Sequence, residues 1–250
     1  MMAESNSGQS LAELDGQLPQ GEVHVWLASL ALKDDVVGKI GSLLTPEEQE
    51  RAARFEVAAA RKQFVASRAL LRMALGKYLG IDARQVKFRL TSHGKPELAD
   101  HRAIHFNLSH TEGLAAMAVT RAGAVGIDVE KIRNEAHVLE LADRFFSKKE
   151  AALLRSQPER ERISCFFSCW TAKEAYVKAH GGGLSIPLDG FAVILDAKRP
   201  ELELEVFGDA AEARRWSMWR LELPAEFRGA VAVDGAIRRV RVGWLSATEL

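Results

Sequence analysis

Two carboxylates stand two residues apart at the end of a segment that the sequence predicts to be a β-strand. Asp128 and Glu130 lie in VGIDVEK, within the predicted strand at residues 124–130. Because the side chains of a strand alternate between its two faces, both carboxylates point to the same side. Two like charges so placed repel unless a cation lies between them, and carboxylate oxygens bind hard divalent ions such as Mg²⁺. The pair indicates either a metal site or a solvated strand end, and both interpretations stay open.

A second candidate group lies on a predicted long helix, in the segment WTAKEAYVK. Glu174 and Lys178 are one helical turn apart, which is the spacing of an ordinary surface ion pair. Trp170, Tyr176 and Val177 leave little of this helix facing only solvent, which favours a functional interpretation. A carboxylate beside a lysine can bind a metal ion and a phosphate together.

Two short segments have the composition of anion-binding loops. Residues 91–96 read TSHGKP, and residues 107–110 read NLSH at the end of a predicted strand. A Gly-Lys loop offers free backbone N–H groups and a point charge, while serine and histidine add directional donors for phosphate. The spacing of a Walker loop is absent. Each segment taken alone favours an ordinary turn over a binding site.

The first run of predicted elements lies in the N-terminal half of the chain. Residues 1–20 are polar and aperiodic and are interpreted as a disordered tail, and alternation from Gly21 predicts a strand. Residues 45–48 (TPEE) form a capping box with a proline in the first turn of a helix. A longer helix is predicted over residues 60–79, ended by Gly80. Short strands are predicted at residues 86–90, 104–108, 114–120 and 124–130, with residues 121–123 as the turn between the last two.

A similar run of elements follows. Residues 147–150 (SKKE) form a second capping box, and a second long helix is predicted over residues 160–179, ended by glycines 181–183. This order indicates an α+β fold with two similar halves, residues 21–125 and 126–250, that meet at a seam near Gly126. No strong sequence repeat accompanies it. Strands are predicted at residues 191–195, 201–206, 216–221, 229–233 and 239–242.

Composition narrows the class of protein. The 250 residues carry 34 basic and 34 acidic side chains, which argues against a nucleic-acid-binding module. The sequence has neither an apolar run long enough to span a membrane nor a signal peptide, so we expect a cytoplasmic protein with no membrane partner. Cys165 and Cys169 are expected to be buried thiols. Aromatic residues near the motifs are expected in the core rather than stacked on a cofactor: Phe145, Phe146, Phe166, Phe167 and Trp170.

Taken together and in this order, the motifs resemble those of the 4′-phosphopantetheinyl transferases, in particular the longer monomeric type that activates carrier proteins of peptide and polyketide synthases. HGKP, FNLSH, VGIDVEK, RFFSKKE and WTAKEAYVK occur in family order over residues 93–178. RAARF from Arg51 and LSIPLDGF after Gly183 extend the similarity to about four fifths of the chain.

The resemblance implies two halves related by a pseudo-twofold, with coenzyme A held in the cleft between them. It implies that Asp128, Glu130 and Glu174 bind Mg²⁺, and that Lys178 contacts the pyrophosphate of coenzyme A. Asp128 and Glu174 then also belong to the coenzyme site. Further coenzyme contacts are implied at Arg51, Thr91, Ser92, His93, Gly94, Lys95, Pro96, Asn107, Leu108, Ser109 and His110.

The implied reaction transfers the phosphopantetheine arm of coenzyme A to a serine of an apo acyl- or peptidyl-carrier protein, and releases adenosine 3′,5′-bisphosphate. The pyrophosphate already carries negative charge, so catalysis depends on positioning and charge neutralisation. A carboxylate acting as general base would remove the serine proton. Glu174 and Glu150 are the candidates, and Glu150 is equally well interpreted as the helix-capping residue of residues 147–150.

Two other functions remain open from the sequence. One is a catalytically silent homologue that binds coenzyme A or a carrier protein. Loss of a motif acid or of Lys178 would favour it, and this sequence keeps all of them. The other is a Mg²⁺-dependent phosphodiesterase or nuclease, against which the balanced charge argues. A monomer is expected. The carrier protein could belong to fatty-acid, polyketide, nonribosomal-peptide or siderophore assembly.

Overall fold

The chain folds into seven helices and eleven strands within the part that the structure describes. This computed structural model describes residues 16–196 and 198–246. The strands are β1 (Glu22–Ser29), β2 (Phe88–Leu90), β3 (Pro96–Leu98), β4 (His105–Thr111), β5 (Leu114–Thr120), β6 (Val125–Lys131), β7 (Phe191–Ile194), β8 (Glu201–Val206), β9 (Trp216–Arg220), β10 (Phe227–Asp234) and β11 (Arg239–Leu245). The helices are α1 (Asp34–Gly41), α2 (Pro46–Ala53), α3 (Ala58–Leu79), α4 (Val138–Phe145), α5 (Lys148–Ser156), α6 (Glu159–His180) and α7 (Ala210–Arg215).

Two sheets stack face to face, and a long helix covers the outer face of each. The strand order is β11-β1-β5-β4 in the first sheet and β6-β10-β9-β8-β7 in the second, while β2 and β3 form a separate pair. On β1, Val23 and Val25 pack against the second sheet, whereas Trp26 packs in the apolar cluster beneath α3. α6 packs on the other side of the second sheet. This arrangement confirms the predicted α+β class.

The two halves repeat one helix pair. α2 and α5 each begin with a complete capping box, and α3 and α6 are each 22 residues long and end at a left-handed glycine. The box glutamate then pairs with a buried cation of the long helix: Glu48 with Arg72 at 2.7 Å, and Glu150 with Lys173 at 2.7 Å. The predicted capping boxes and long helices are therefore confirmed, and the repeat lies in the structure although the sequence shows it weakly.

Two sheet assignments differ from the sequence prediction. Residues 121–123 do not close a hairpin, because β5 pairs with β1 and β4 whereas β6 pairs with β10. They carry the chain from one sheet to the other. β11, which was expected in the C-terminal half, instead pairs in parallel with β1 of the first sheet. Alternation identifies a strand but not its partner, so neither result follows from the local sequence.

The structured part also begins earlier than predicted. The predicted tail spans residues 1–20, of which residues 1–15 lie outside the described part of the chain. Leu18 is buried in the cluster beneath α3, so the start predicted at Gly21 is too late. The elements α1, α4, α7 and β3 were not predicted from the sequence.

The remaining fold-level expectations concern the membrane, the cysteines and the aromatic residues. Among the described helices, none is long and apolar enough to cross a membrane. Cys169 is buried and Cys165 is half-buried, and both are free thiols. Phe146, Phe166 and Phe167 are buried in one apolar cluster around α4, α5 and α6, as predicted. Phe145 and Trp170 pack against this cluster and are only partly buried.

Candidate active site

The edges of the two sheets meet along β4 and β6, and polar side chains join them. Asn107 Oδ1 accepts a hydrogen bond from Ile127 N at 2.9 Å. Two residues further along each strand, Ser109 Oγ accepts one from Val129 N at 3.4 Å. The period of two keeps these side chains on the same side of β4. Asn107 and Ser109, both expected at the coenzyme, are buried here as part of the joint between the halves.

Helix α6 lies directly on β6 because residue 126 is glycine. A Cβ atom at Gly126 would stand 2.1 Å from the carbonyl oxygen of Ala175 and 2.3 Å from the backbone nitrogen of Ala179, distances that no side chain can occupy. The close contact brings the side chains of Glu174 and Lys178 towards the carboxylates of β6. The predicted acids and lysine are thus brought together by one glycine.

Asp128 lies at the centre of the group. Its Oδ1 accepts hydrogen bonds from Lys178 Nζ at 2.6 Å and from Ser109 Oγ at 2.9 Å. Lys178 Nζ also donates to Ser109 Oγ at 3.2 Å. Asp128 is 4% exposed, and its other oxygen, Oδ2, is buried without a hydrogen-bond partner among the described residues. A buried carboxylate oxygen without a donor is costly unless another ligand satisfies it.

Glu130 and Glu174 both lie in the electrostatic field of Asp128. Burial raises the pKa of Glu130, and the charge of Asp128 raises it further. Burial likewise raises the pKa of Glu174, with added contributions from Asp128 and Glu130, which outweigh the lowering by Lys178. The three carboxylates therefore share one negative region at the seam.

The donor set fits a hard divalent cation, although the acids do not already form a coordination sphere. Within the described residues, no group of three or more His, Cys, Asp or Glu side chains is close enough to hold a metal ion. Lys178 pairs with Oδ1 of Asp128, whereas Oδ2 has no hydrogen-bond partner among the described residues. The carboxylates of Asp128, Glu130 and Glu174 also repel one another. A divalent cation bound by these oxygens would offset both costs.

The segment at residues 91–96 forms the tip of the β2–β3 pair. Thr91 N donates to Lys95 O at 2.9 Å, and Gly94 N donates to Thr91 O at 2.9 Å. Gly94 has a positive φ of 79°, which favours glycine at this position. Ser92 and His93 are exposed, as is Gly94, whereas Pro96 begins β3. The exposed tip is free to contact a ligand.

Lys95 does not point outward with the rest of the loop. Its Nζ donates to the carbonyl oxygens of Val125 at 2.9 Å and Lys178 at 2.6 Å, so it joins the N-terminal loop to β6 and to the end of α6. Burial lowers its pKa to about 8. The resemblance implies a phosphate contact for this lysine, whereas its observed contacts hold the two halves together.

We expect Lys95→Met to destabilise the fold by about 1–3 kcal/mol, because two half-buried carbonyl oxygens lose their donor. Chemical denaturation of the variant and the parent measures the difference. Lys87→Met is the matched control, since Lys87 is an exposed lysine of the same region, 3.8 Å from Asp100. Equal free energies of unfolding for the two variants would contradict the role assigned to Lys95.

The other implied coenzyme residues lie at different depths. His110 is exposed at the end of β4, but partial desolvation of its ring and the charge of Lys178 lower its pKa. Leu108 packs against the cluster beneath α3, so its side chain faces away from the acids. Arg51 is exposed on α2, with its guanidinium 5.3 Å from the centre of the Phe64 ring.

Glu150 is 2% exposed and has its carboxylate oxygens fully engaged. Ser147 N and Ser147 Oγ donate to Oε2, Val193 N donates to Oε1, and Lys173 Nζ donates to both. Glu48 has the corresponding place in the first half, where it caps α2 and pairs with Arg72. These contacts support the capping interpretation of Glu150 over its alternative as a base.

Comparisons with known proteins match the chain over most of its length. The family model described as the 4′-phosphopantetheinyl transferase superfamily matches residues 124–232, and one described as 4′-phosphopantetheinyl transferase, N-terminal, matches residues 33–122. The 4′-phosphopantetheinyl transferase HetI of Nostoc sp. is 38% identical over 217 residues, which cover 86% of this chain and 88% of HetI. The chain belongs to the 4′-phosphopantetheinyl transferase superfamily.

More distant relatives of the same superfamily include the 4′-phosphopantetheinyl transferase Sfp of Bacillus subtilis, 33% identical over 62% of this chain and 67% of Sfp. The human L-aminoadipate-semialdehyde dehydrogenase-phosphopantetheinyl transferase is 29% identical over 76% of this chain and 67% of that protein. The two family matches meet between residues 122 and 124, where the chain passes from the first sheet to the second. The family resemblance is confirmed, and the chain is a phosphopantetheinyl transferase of the longer type.

Two residues that contact the predicted transferase site were not singled out from the sequence. Thr111 Oγ1 donates to Glu130 Oε2 at 3.2 Å, and Lys173 forms the buried pair with Glu150. The alternation of polar residues at 107, 109 and 111 could have identified Thr111. The sequence around Lys173 gives no comparable indication that it contacts Glu150, because its burial depends on packing against β7 and α5.

Proposed function

We propose that this transferase moves the 4′-phosphopantetheine arm of coenzyme A to a serine hydroxyl of an apo acyl- or peptidyl-carrier protein. The observation that carries the proposal is the Asp128 carboxylate at the seam. Ser109 contacts it from the first half, Lys178 contacts it from α6, and Glu130 and Glu174 lie within its field. A lysine beside a group of acids supports a role in transfer from a pyrophosphate, where developing charge must be stabilised.

The chain's own residues supply the charge arrangement. Lys178, whose side chain is 31% exposed, can turn its ammonium group from Asp128 towards a bound phosphate. His110 and the exposed tip at residues 92–94 offer further donors to the coenzyme. When bound by Asp128, Glu130 and Glu174, Mg²⁺ would supply positive charge to the pyrophosphate oxygens. Oδ2 of Asp128, which no described residue contacts by a hydrogen bond, supports that assignment.

In the proposed reaction, the serine oxygen forms a bond to the phosphorus next to the pantetheine arm. The bond from that phosphorus to the bridging oxygen breaks, and adenosine 3′,5′-bisphosphate leaves with the electron pair. Glu174 accepts the serine proton. Its raised pKa suits a general base, and its partial exposure differs from the enclosed carboxylate of Glu150.

The product distinguishes this function from its alternatives. Release of adenosine 3′,5′-bisphosphate from coenzyme A, followed by chromatography, should require an apo-carrier protein and should fail when the carrier serine is replaced by alanine. Release without a carrier would instead indicate a phosphodiesterase. Binding of coenzyme A without release on any carrier would indicate a silent homologue.

A further inference from the structure

Thr111 is the third polar side chain of β4 that joins it to β6, after Asn107 and Ser109. Its Oγ1 accepts a hydrogen bond from Lys131 N at 3.2 Å, as Ser109 Oγ does from Val129 N and Asn107 Oδ1 does from Ile127 N. β4 and β6 belong to different sheets, so these side chains replace a backbone ladder. Each of the three side chains accepts a hydrogen bond from one N–H group of β6.

The hydroxyl groups of Ser109 and Thr111 each make a second contact, with a carboxylate of β6. Ser109 Oγ donates to Asp128 Oδ1 at 2.9 Å, and Thr111 Oγ1 donates to Glu130 Oε2 at 3.2 Å. A hydroxyl has one proton and two lone pairs. Because a backbone N–H already occupies a lone pair, the proton is free to point at the carboxylate one residue earlier on β6. The same geometry therefore orients both acids of the strand.

Glu130 depends on this contact more than Asp128 does. Asp128 is also held by Lys178 at 2.6 Å, whereas Glu130 pairs with Arg133 only at 3.6 Å, through a side chain that is 64% exposed. The Glu130 side chain is 24% exposed near the end of its strand. Without the Thr111 hydroxyl, its carboxylate would have several side-chain conformations available.

We infer that Thr111 is a positioning residue that holds the Glu130 carboxylate in place for a divalent cation at the seam. The inference rests on the metal-binding part of the proposed function. Partners that orient a ligating carboxylate affect metal affinity without touching the metal. Thr111 acts through Glu130 and makes no contact with substrate in this scheme.

The test measures metal affinity directly. Mn²⁺ is titrated by electron paramagnetic resonance into the full chain with saturating coenzyme A, corrected for Mn²⁺ bound by the coenzyme alone. We expect Thr111→Val to weaken Mn²⁺ binding about 10-fold, the lower end of the effect of such partners. Thr111→Ser keeps the hydroxyl and should restore the parent affinity.

The matched control is Thr120→Val on β5. Thr120 is a buried strand threonine that donates to Glu22 O at 2.8 Å and accepts from Ala122 N at 3.1 Å. Thr120→Val should lower the melting temperature without changing the Mn²⁺ affinity. If Thr111→Val binds Mn²⁺ with the parent affinity, or if both valine variants weaken binding equally, the role of Thr111 is overturned but the metal site is not. No Mn²⁺ binding by the parent would overturn the metal site and this inference with it.

Discussion

Asp128→Asn is expected to lower the rate of phosphopantetheine transfer by about 10²–10³-fold, the usual effect of removing one preorganised electrostatic group. Asparagine keeps the size of the side chain and an oxygen that can accept from Ser109 and Lys178. It removes the negative charge that pairs with Lys178 at 2.6 Å. The fold should survive, because in the described part of the parent chain one buried oxygen of Asp128 already has no hydrogen-bond partner. Transfer rates at saturating coenzyme A, together with melting curves, measure both effects.

A nearby acid outside the site provides the control. Glu112 is 76% exposed and pairs with Lys131, so Glu112→Gln should keep the parent rate. If Asp128→Asn also transfers at the parent rate, the acids at the seam do not form the active site. If it fails to fold, Asp128 is chiefly structural.

Lys173→Met is expected to cause the largest loss of stability, about 3–5 kcal/mol, because it leaves the buried Glu150 carboxylate without its cation. The side chains of the pair are 0% and 2% exposed. Burial lowers the pKa of Lys173, although Glu150 opposes that shift. Equilibrium unfolding in guanidinium measures the free energy. Lys149→Met, which removes a 64% exposed lysine paired with Glu205, should change it little.

The same pair separates the two interpretations of Glu150. Glu150→Gln should lower the melting temperature while the folded fraction keeps its transfer rate. The double variant Glu150→Gln/Lys173→Met should lose less stability than Lys173→Met alone, because no buried charge then lacks a partner. A large loss of rate in a stable Glu150→Gln variant would instead assign a catalytic role to Glu150.

Features determined by neighbouring residues could be predicted from the sequence. The capping boxes at Thr45 and Ser147 depend on contacts three residues apart, and the glycines at 80 and 181 end the long helices by local geometry. The position of the acids on one face of β6 follows from the period of a strand. The family motif VGIDVEK distinguishes Asp128 and Glu130 from the other acidic residues of the chain.

Features that depend on distant parts of the chain could not be predicted in this way. β11 pairs with β1 from the opposite end of the sequence. The direction of Lys95 depends on carbonyl groups of β6 and α6, which a loop motif does not reveal. Asn107 and Ser109 belong to the motif FNLSH, yet their side chains bridge two sheets whose adjacency only the fold establishes.

Intact-protein mass spectrometry of apo-carrier proteins tests the central claim most directly. A panel of carriers is incubated with this protein, coenzyme A and Mg²⁺, with EDTA and Asp128→Asn as controls. We expect at least one carrier to gain about 340 Da, the mass of the phosphopantetheine arm. It should gain nothing with EDTA, and with Asp128→Asn it should gain that mass about 10²–10³-fold more slowly. No gain on any carrier, with the protein folded and coenzyme A bound, would contradict the proposed transfer.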